Sequence, residues 1–374
     1  MPKTFDVCIR GDGIVGRSLA LLLARERLRV ALVGRPASAK QQEDVRAYAL
    51  NAASRALLED VRAWPEPASA TPVRAMRVWG DSGGRLDFGG LPSDGASELA
   101  WIVDVPALEN TLDQALKFAP EVERVADAAQ APAKLTVICE GQKSSSRQAL
   151  GAAWTVKPYD QKAVAARLLS DRPHGGVARQ WFENGEVLAL LPSGGEAGSS
   201  FALVWSVGTA KAERLAQLPP EELAAAVQAV CGSEAGNLRL DSAAATWPLA
   251  LSSAERWVGP GWALAGDAAH TVHPLAGQGL NLGLADVREL AAVIKGREYF
   301  RSLGDEKLLR RYERARKGGV LAMAAVTDGL HSLFAQPDAR FQALRNWGMK
   351  GVARSRPLKA WLTRQATGHK ENTR

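Results

Sequence analysis

The sequence predicts an α/β fold (α+β overall) in which a domain built on a parallel sheet is interrupted by a second domain built mainly of strands. Three observations support this prediction. A glycine-rich strand–turn–helix pattern opens the chain, a second strand–glycine–helix pattern occurs near Gly266, and the segment between them is largely patterned as strands. After the second pattern the periodicity is mainly helical, so a helical C-terminus is expected.

The first pattern, residues 5–33, predicts a complete βαβ unit with the turn GDGIVG between its first strand and its helix. In this context a G-x-G-x-x-G motif indicates a Rossmann-like dinucleotide-binding domain. Gly11 permits the tight turn, Gly13 lets the backbone approach a pyrophosphate, and Gly16 allows the helix to pack closely on the strand. The helix N-terminus then faces the anion. The residues predicted to bind the cofactor here are Gly11, Gly13, Ile14, Val15 and Gly16.

The segment between the two glycine-rich patterns departs from regular βα repetition. Residues 44–64 predict a loop followed by a helix, and the glycine-rich residues 77–95 predict strands. A helix over 106–116 and a strand over 134–141 then return the chain to the nucleotide-binding fold. Three further strands and one helix are predicted over residues 175–182, 186–192, 200–207 and 221–230.

The second pattern, GWALAGDAAHTVHPLAGQGLN at residues 261–281, predicts another site for a polar ligand. An apolar strand ends at Gly266 and Asp267, and GQGLN begins a helix. The carboxylate suits a sugar or ribityl hydroxyl, and the bare glycines let backbone N–H groups approach a ring edge. Two nucleotide-type sites far apart in one chain imply a long ligand with two polar ends. FAD is such a ligand.

A metal site at His270 and His273 is not favoured. Pro274 breaks any helix that would align the two rings, and no cysteine or third histidine is close in sequence. A loop that lines the flavin is the better interpretation of this segment.

The positive charge of the chain is concentrated in a tail. Residues 340–374 contain nine Lys or Arg and one acid, Glu371, which is a net +8; the remainder therefore sums to about −1 of the total +7. A basic tail on a neutral body does not indicate nucleic acid as a partner. Because apolar side chains alternate with these charges, the tail suits an anionic membrane surface, and a terminal helix packed on the body is the alternative interpretation.

The N-terminus and the cysteines predict a cytoplasmic protein. The chain begins directly with a strand pattern instead of a signal peptide, and it has no apolar run of about 18 residues that could span a membrane. Cys8, Cys139 and Cys231 are few and scattered, so buried free thiols in a reducing compartment are expected.

The segment GDAAHTVHPLAGQGLNLGLADV, residues 266–287, closely resembles the ubiquinone-biosynthesis flavin hydroxylases of the group A aromatic monooxygenases. The resemblance includes GDGIVG, DVRAYALNAASRALLE (44–59), CEGQKSSSRQALG (139–151) and residues 312–368, so it covers nearly the whole chain. It implies FAD as the cofactor and a discontinuous FAD-binding domain. The expected domains are residues 1–72, 96–155 and 255–335 for FAD, 73–95 and 156–254 for a substrate-binding sheet, and 336–374 for the basic tail.

The resemblance also assigns residues to the flavin end of the site. It implies that Arg46 lies near the flavin, that Asp267 binds the ribityl chain, and that Pro274 lies beside the reacting edge of the isoalloxazine. His270 is included with Pro274 as a candidate catalytic residue. The residues expected to contact the flavin pyrimidine through their backbone are Gly277, Gln278, Gly279, Leu280 and Asn281.

The chemistry that the resemblance implies belongs mainly to the cofactor. Reduced flavin adds O2 to give a C4a-hydroperoxyflavin, which transfers one oxygen atom to an electron-rich phenol ring. The expected substrate is a lipophilic, polyprenylated phenol of ubiquinone biosynthesis. The sequence has no separate NAD(P)H domain; NAD(P)H is a candidate transient electron donor, and the identity of the donor is left open.

The sequence departs from the family at several positions. The second strand should end in an acid that binds the adenosine ribose, but Gly34 and Arg35 follow it, and the usual Asp-Gly after the later strand is Glu140-Gly141. Pro106 replaces an arginine, and the short connection before Leu135 leaves little room for the family's β-meander. With Arg35 and Glu140 at the adenosine end, the sequence predicts weak FAD binding that a Gly34→Glu substitution would tighten.

Two alternatives to an active hydroxylase remain at this stage. The altered adenosine end is compatible with a non-catalytic or weakly FAD-binding relative that acts as a partner of other quinone-biosynthesis proteins. A flavin halogenase or epoxidase is the second alternative, but the chain lacks a Trp-x-Trp-x-x-Pro motif. The complete segment from Asp267 to Asn281 favours the hydroxylase.

Overall fold

A computed structural model describes residues 4–34, 44–80, 84–89, 98–272 and 278–335. Within these residues the chain forms three β-sheets and eight α-helices. The helices are α1 (Ile14–Arg25), α2 (Ala52–Asp60), α3 (Val105–Leu116), α4 (Ser145–Ala149), α5 (Thr209–Gln217), α6 (Pro220–Cys231), α7 (Gly279–Lys295) and α8 (Glu306–Ala335).

The strands occur in two groups, an early set around the first helices and a long run in the middle of the chain. The early strands are β1 (Phe5–Arg10), β2 (Val30–Val33), β3 (Ala47–Leu50), β4 (Ala70–Val73), β5 (Ala75–Trp79), β6 (Arg85–Gly89), β7 (Ala100–Asp104), β8 (Val122–Val125) and β9 (Ala133–Ile138). The later strands are β10 (Trp154–Ser170), β11 (Val177–Glu183), β12 (Glu186–Ser193), β13 (Ser200–Gly208), β14 (Leu238–Leu240), β15 (Ala245–Ala254), β16 (Val258–Gly259), β17 (Trp262–Leu264) and β18 (His270–Thr271).

The six-stranded sheet contains both glycine-rich motifs. Its strand order is β16-β17-β9-β1-β2-β8, and β1 pairs in parallel with β2 and β9 while β9 pairs in parallel with β17. Strands of such a sheet are buried on both faces, which explains the continuous apolar sequence of β1. Val7 and Ile9 contribute to the main core, whereas Cys8 belongs to a smaller cluster with Phe5. The first and second motifs therefore belong to one sheet although most of the chain separates them.

The nine-stranded sheet contains the middle of the chain. Its order is β18-β15-β10-β13-β12-β11-β5-β6, with β14 paired to β10. Alternate residues of its strands, such as Val164 and Leu203, pack against Leu223 and Val227 of α6. Helices therefore cover one face of the large sheet, and the opposite face is in contact with other parts of the chain.

A small three-stranded sheet, β3-β7-β4, lies against that other face. Both of its strand pairs are antiparallel. Val73 of β4 and Ile102 of β7 form a cluster with Ala178 of β11, and Leu191 of β12 packs against it. The three-stranded sheet thus joins the large sheet to the part of the chain that follows the first βαβ unit.

Most of the predicted elements are confirmed, with one error before α2. The opening βαβ unit, the helices α2, α3 and α6, and the strands β9 and β11–β13 occur where the sequence predicts them. The predicted loop is partly wrong because Ala47–Leu50 forms β3, which pairs with β7. A short strand has little signal of its own when its partner lies far along the chain. Between α3 and β9 the chain forms only β8 and one turn of 3-10 helix, as the short connection predicted.

The strand pairing supports the predicted division into an FAD domain and a substrate sheet, although the domain boundaries stay a prediction. The three cysteines are buried and their thiols are free, which confirms the prediction for their placement. None of the helices in the described ranges is long and apolar enough to cross a membrane. The basic tail, residues 336–374, lies outside the described residues.

Candidate cofactor site

In the glycine turn between β1 and α1, two glycines pack directly against other backbone atoms and the third has open space beside it. Gly11 has a φ of 110°, in the left-handed region that favours glycine, and a Cβ there would lie 2.4 Å from the carbonyl oxygen of Cys139. A Cβ on Gly16 would lie 1.9 Å from the carbonyl oxygen of Gly11. Gly13, in contrast, has no atom within 4 Å of its Cβ position. A ligand can therefore approach the backbone at Gly13.

Two helix N-termini at this site have no side-chain cap. Gly13 precedes α1, and Gln278 precedes α7 without capping it. Gly279, the first residue of α7, also has open space at its Cβ position. Because the first N–H groups of a helix have no partner within the helix, both termini present donors and a partial positive charge. Ile14 and Leu280 are buried in the core, so these two predicted residues can offer only their backbone.

The two motifs meet at Val15. A Cβ on Gly283 of α7 would lie 2.9 Å from Val15 Cγ2 and 3.3 Å from Gly266 Cα. A Cβ on Gly266 would lie 3.2 Å from the same Val15 carbon. Glycine at both positions therefore lets α1 and α7 pack against the turn that carries Asp267. The predicted pyrophosphate end and flavin end thus belong to one continuous site.

Asp267 follows Gly266 in the turn after β17. Its side chain is exposed, yet the surrounding protein raises the pKa of its carboxyl by desolvation. An exposed group that is nevertheless desolvated is expected to face a cleft. Asp286 also raises this pKa, whereas the positive charge of Arg46 opposes the shift. The pKa of Tyr48 is raised by burial and by the charge of Asp267. The charges of Asp267 and Arg46 therefore act on one another, and both act on the Tyr48 hydroxyl.

Arg46 is held through both its side chain and its backbone. Its guanidinium forms an ion pair with Asp44, with Nη2 2.5 Å from Asp44 Oδ2, and this hydrogen bond raises the pKa of the Arg46 guanidinium. Its carbonyl oxygen accepts a hydrogen bond of 2.9 Å from Arg167 Nη2 of β10. The same nitrogen lies 2.5 Å from Asp104, which caps α3 by accepting from Ala107 N. Arg167 thereby ties the large sheet to the segment that carries Arg46.

His270 is buried, and its contacts favour a positioning role, while its candidate catalytic role stays a prediction. Its Nε2 lies 2.6 Å from Asp286 Oδ2, and this oxygen also accepts a hydrogen bond of 3.0 Å from Gly266 N. The other oxygen of Asp286 accepts a 2.8 Å hydrogen bond from Arg316 Nε of α8. The His270 ring packs against Trp257, with ring centroids 4.8 Å apart. His270 is therefore a positioning residue for the Asp267 turn.

Asn281 has its side chain committed to the protein. Its Oδ1 accepts hydrogen bonds from Asn51 N at 3.0 Å and Ser54 Oγ at 2.7 Å, and its Nδ2 donates to the carbonyl oxygen of Ala49 at 2.8 Å. These bonds attach the first turn of α7 to β3 and to the N-terminus of α2. A contact between Asn281 and a ligand would therefore use its backbone, as predicted.

Glu140, which stands where the family has an aspartate, organises the loop after β9. Its carboxylate accepts hydrogen bonds from Ser144 Oγ and from the Oγ and N of Ser146, at the start of α4. Arg10 Nε lies 3.1 Å away. Burial alone would raise the pKa of Glu140, but the hydrogen bonds from Ser146 and Ser144 bring it below its usual value. With these partners, Glu140 is a positioning residue.

Sequence reasoning missed the buried carboxylate of Asp286 and its partner Arg316. The available signal was an acid among apolar residues of α7, at a helical position facing the core. The predicted site residues Arg35, Pro274 and Gly277 lie outside the described residues, so their placement stays a prediction. Pro106 fits the first turn of α3, where a missing N–H costs nothing.

The described side chains fit a long ligand with a diphosphate in its middle. The open backbone at Gly13 and the uncapped N-terminus of α1 suit the diphosphate, while the carboxylate of Asp267 and the start of α7 suit a ribityl chain and a ring edge. In the described part of the chain, no three His, Cys, Asp or Glu side chains are grouped to hold a metal ion. The arrangement is that of a flavin site.

The chain is similar to known proteins over most of its length. The FAD binding domain family matches residues 97–327. The chain is 30% identical to "Ubiquinone hydroxylase UbiL" of Rhodospirillum rubrum, over 98% of this chain and 90% of that protein. It is also 30% identical to "3-demethoxyubiquinol 3-hydroxylase" of Escherichia coli, over 97% of this chain and 98% of that protein. Among solved structures, p-nitrophenol 4-monooxygenase PnpA of Pseudomonas putida DLL-E4 shares the fold, with a TM-score of 0.75, 17% identity, and coverage of 98% and 100% of the two chains.

The protein is an FAD-dependent aromatic monooxygenase, as the family resemblance of the sequence implied. Within that class, the chain belongs to the FAD hydroxylases of ubiquinone biosynthesis.

We predict that Asp286→Asn destabilises the protein by about 3 to 5 kcal/mol, because the substitution leaves Arg316 without its buried carboxylate partner. Glu26→Gln is the matched control, since it removes an acid from an exposed pair with Lys295 and should cost less than about 1 kcal/mol. Urea unfolding followed by circular dichroism measures both. Equal losses in the two variants would show that the Asp286 network does not hold the turn.

We predict that Asp267→Asn stabilises the FAD-free protein and weakens FAD binding. The raised pKa means that the folded chain binds this proton more tightly than the unfolded chain, so the ionised carboxylate lowers the free energy of unfolding above the folded pKa. The gain in Tm should therefore be largest near neutral pH and should shrink as the pH falls toward the unfolded value of 3.8. A lower Tm for the variant at neutral pH would contradict this account.

Proposed function

We propose that the enzyme hydroxylates the aromatic ring of a lipophilic, polyprenylated phenol that is a precursor of ubiquinone, with O2 as co-substrate. The observation that carries the proposal is the contact of Val15 with Gly266 and Gly283, which joins the two motifs into one FAD site. The relatives named as ubiquinone hydroxylase and 3-demethoxyubiquinol 3-hydroxylase support the substrate class.

The sheet face opposite α6 supports an apolar aromatic substrate. Ala163 pairs with Trp247 of β15 and Ser206 of β13, and Ala165 pairs with Val204, so these side chains share one face. Arg167 lies on the same face and reaches the carbonyl oxygen of Arg46. Small apolar side chains beside one large aromatic ring suit the planar ring of a phenol, and they are directed to the side of the sheet that meets the flavin domain.

The proposed roles of the residues follow from their geometry. The turn from Gly11 to Gly16 binds the diphosphate, and Asp267 accepts a hydrogen bond from the ribityl chain. The start of α7, from Gly279 to Asn281, offers backbone N–H groups to the flavin pyrimidine. Gly277 and Pro274 lie outside the described residues, and the family resemblance alone assigns them to this contact and to the reacting edge. When bound, FAD supplies the activation of O2 for transfer to the ring. The residues of the protein orient the ring and exclude water.

The electron donor and the membrane contact are further parts of the proposal. NAD(P)H acts as a transient donor that does not require its own domain. The tail, residues 340–374 with net charge +8, contacts an anionic membrane surface in which a polyprenylated substrate would dissolve. This contact makes the enzyme a peripheral protein on the membrane that contains its substrate.

The proposed reaction is tested by reducing the FAD-loaded enzyme without oxygen and then adding O2 together with candidate phenols. Polyprenylated phenols should gain one ring hydroxyl, detected as an added oxygen atom by mass spectrometry, and ¹⁸O2 should supply that atom. Phenols without the prenyl chain are the matched control and should react more slowly. Oxidation of the flavin with every phenol left unchanged would contradict the proposed function.

The membrane contact is tested by sedimentation with vesicles of anionic phospholipid. The full chain should sediment with the vesicles at low salt and dissociate at high salt, because each basic residue near the surface contributes about 1 kcal/mol. A chain truncated after Gln336 should stay in solution. Equal sedimentation of the two chains would exclude the tail as the membrane contact.

A further inference from the structure

The residue after β2 is unusually close to the glycine turn. A Cβ built on Gly34 would lie 2.3 Å from Asp12 Oδ2 and 2.6 Å from Asp12 Cγ. The Asp12 carboxylate therefore occupies the space in which a side chain at residue 34 would begin. In dinucleotide-binding folds an acid after the second strand binds the ribose hydroxyls, so this is the space from which a ribose-binding acid would normally extend.

Gly34 is required for room and not for its backbone conformation. Its φ lies outside the left-handed region, so an L-residue could adopt this backbone without strain. The contact that a Cβ would make is with the side chain of Asp12 alone among the atoms nearest to it. Glycine at residue 34 and aspartate at residue 12 are therefore complementary: the first leaves the space that the second fills.

The Asp12 carboxylate is available to a ligand. Asp12 is partly exposed between Gly11 and Gly13, and none of the described residues donates a hydrogen bond to its carboxylate or pairs with it. An acid beside a diphosphate is unfavourable unless its oxygens accept hydrogen bonds, because the two negative charges repel each other. A ribose carries two hydroxyl groups that can donate such hydrogen bonds.

We propose that Asp12 has taken over the ribose-binding role that residue 34 has lost. Its carboxylate accepts hydrogen bonds from the adenosine ribose of FAD, and Gly34 provides the room for it. This inference rests on FAD as the cofactor and is independent of which phenol is hydroxylated. It leads to the opposite expectation for Gly34→Glu, since the new side chain would first displace Asp12, and the effect of that substitution on FAD binding stays a prediction.

The proposal is tested by titrating flavin-free protein with FAD and with FMN, using the quenching of flavin fluorescence. FMN contains the flavin, the ribityl chain and one phosphate, but no adenosine ribose. Asp12→Ala should weaken FAD binding by about tenfold to a hundredfold, because it removes charge-assisted hydrogen bonds. Asp12→Asn, which keeps the shape, should weaken it by a smaller factor. The Kd for FMN should not change in either variant.

The sign of the effect separates this role from simple repulsion. If the carboxylate only repelled the diphosphate, Asp12→Ala and Asp12→Asn would tighten FAD. Glu26→Gln, which removes an acid at the opposite end of α1, is the control for a change in net charge and should leave both Kd values unchanged. Tighter or unchanged FAD binding in the Asp12 variants would overturn the proposal, and so would equal weakening of FAD and FMN.

A second variant tests the role of Gly34 without touching Asp12. Gly34→Ala should weaken FAD binding as Asp12→Ala does, because the added Cβ displaces the carboxylate. In the Asp12→Ala background the same substitution should have little further effect, since both act through one group. Independent, additive losses would overturn the complementarity of the two residues. Because these measurements concern binding, a failure of the hydroxylation assay would not change their outcome.

Discussion

The contact between α1, the Asp267 turn and α7 is the constraint on which the rest of the site depends. Val15 fits against Gly266 and Gly283, and a side chain at either glycine would push the two helices apart. Asp286 holds the same contact from behind, since its two oxygens bind Gly266, His270 and Arg316. Both oxygens of this buried carboxylate accept hydrogen bonds, and a change in the position of the turn would leave buried donors without an acceptor. The carboxylate therefore stabilises one arrangement of the two motifs.

The charged groups of this protein divide into those that hold the site and those that remain available. Glu140 and Asp286 are both acids near the cofactor site, but protein donors already occupy their oxygens. Asp12 and Asp267 are partly or fully exposed and lack such donors among the described residues. Under the proposed roles, four acids are compatible with one anionic cofactor, because the protein supplies donors to two of them and hydroxyl groups of the ligand would supply donors to the other two.

The local patterns predicted most of the fold. An apolar strand, a glycine turn and an apolar helix fix their own conformation through sterics and periodicity, so the opening βαβ unit and the strands β11–β13 could be recognised without knowledge of their neighbours. The four residues of β3 could not, because their conformation depends on pairing with β7, whose residues lie far away in the sequence. The same limit applied to Arg167, which contacts Arg46 only after the large sheet has formed.

The sequence by itself determined the class of the cofactor, because the glycine motif that binds a diphosphate is a local pattern. One glycine lets the backbone approach the diphosphate, and another lets the helix pack closely on the strand. The sequence also determined that the expected ribose acid is absent from residue 34. Only the tertiary structure decided what this absence means, since the space beside Gly34 is filled by Asp12 from another segment. It likewise decided that the buried ring of His270 pairs with Asp286. Residue type is a property of the chain, whereas the direction of a side chain is set by what packs around it.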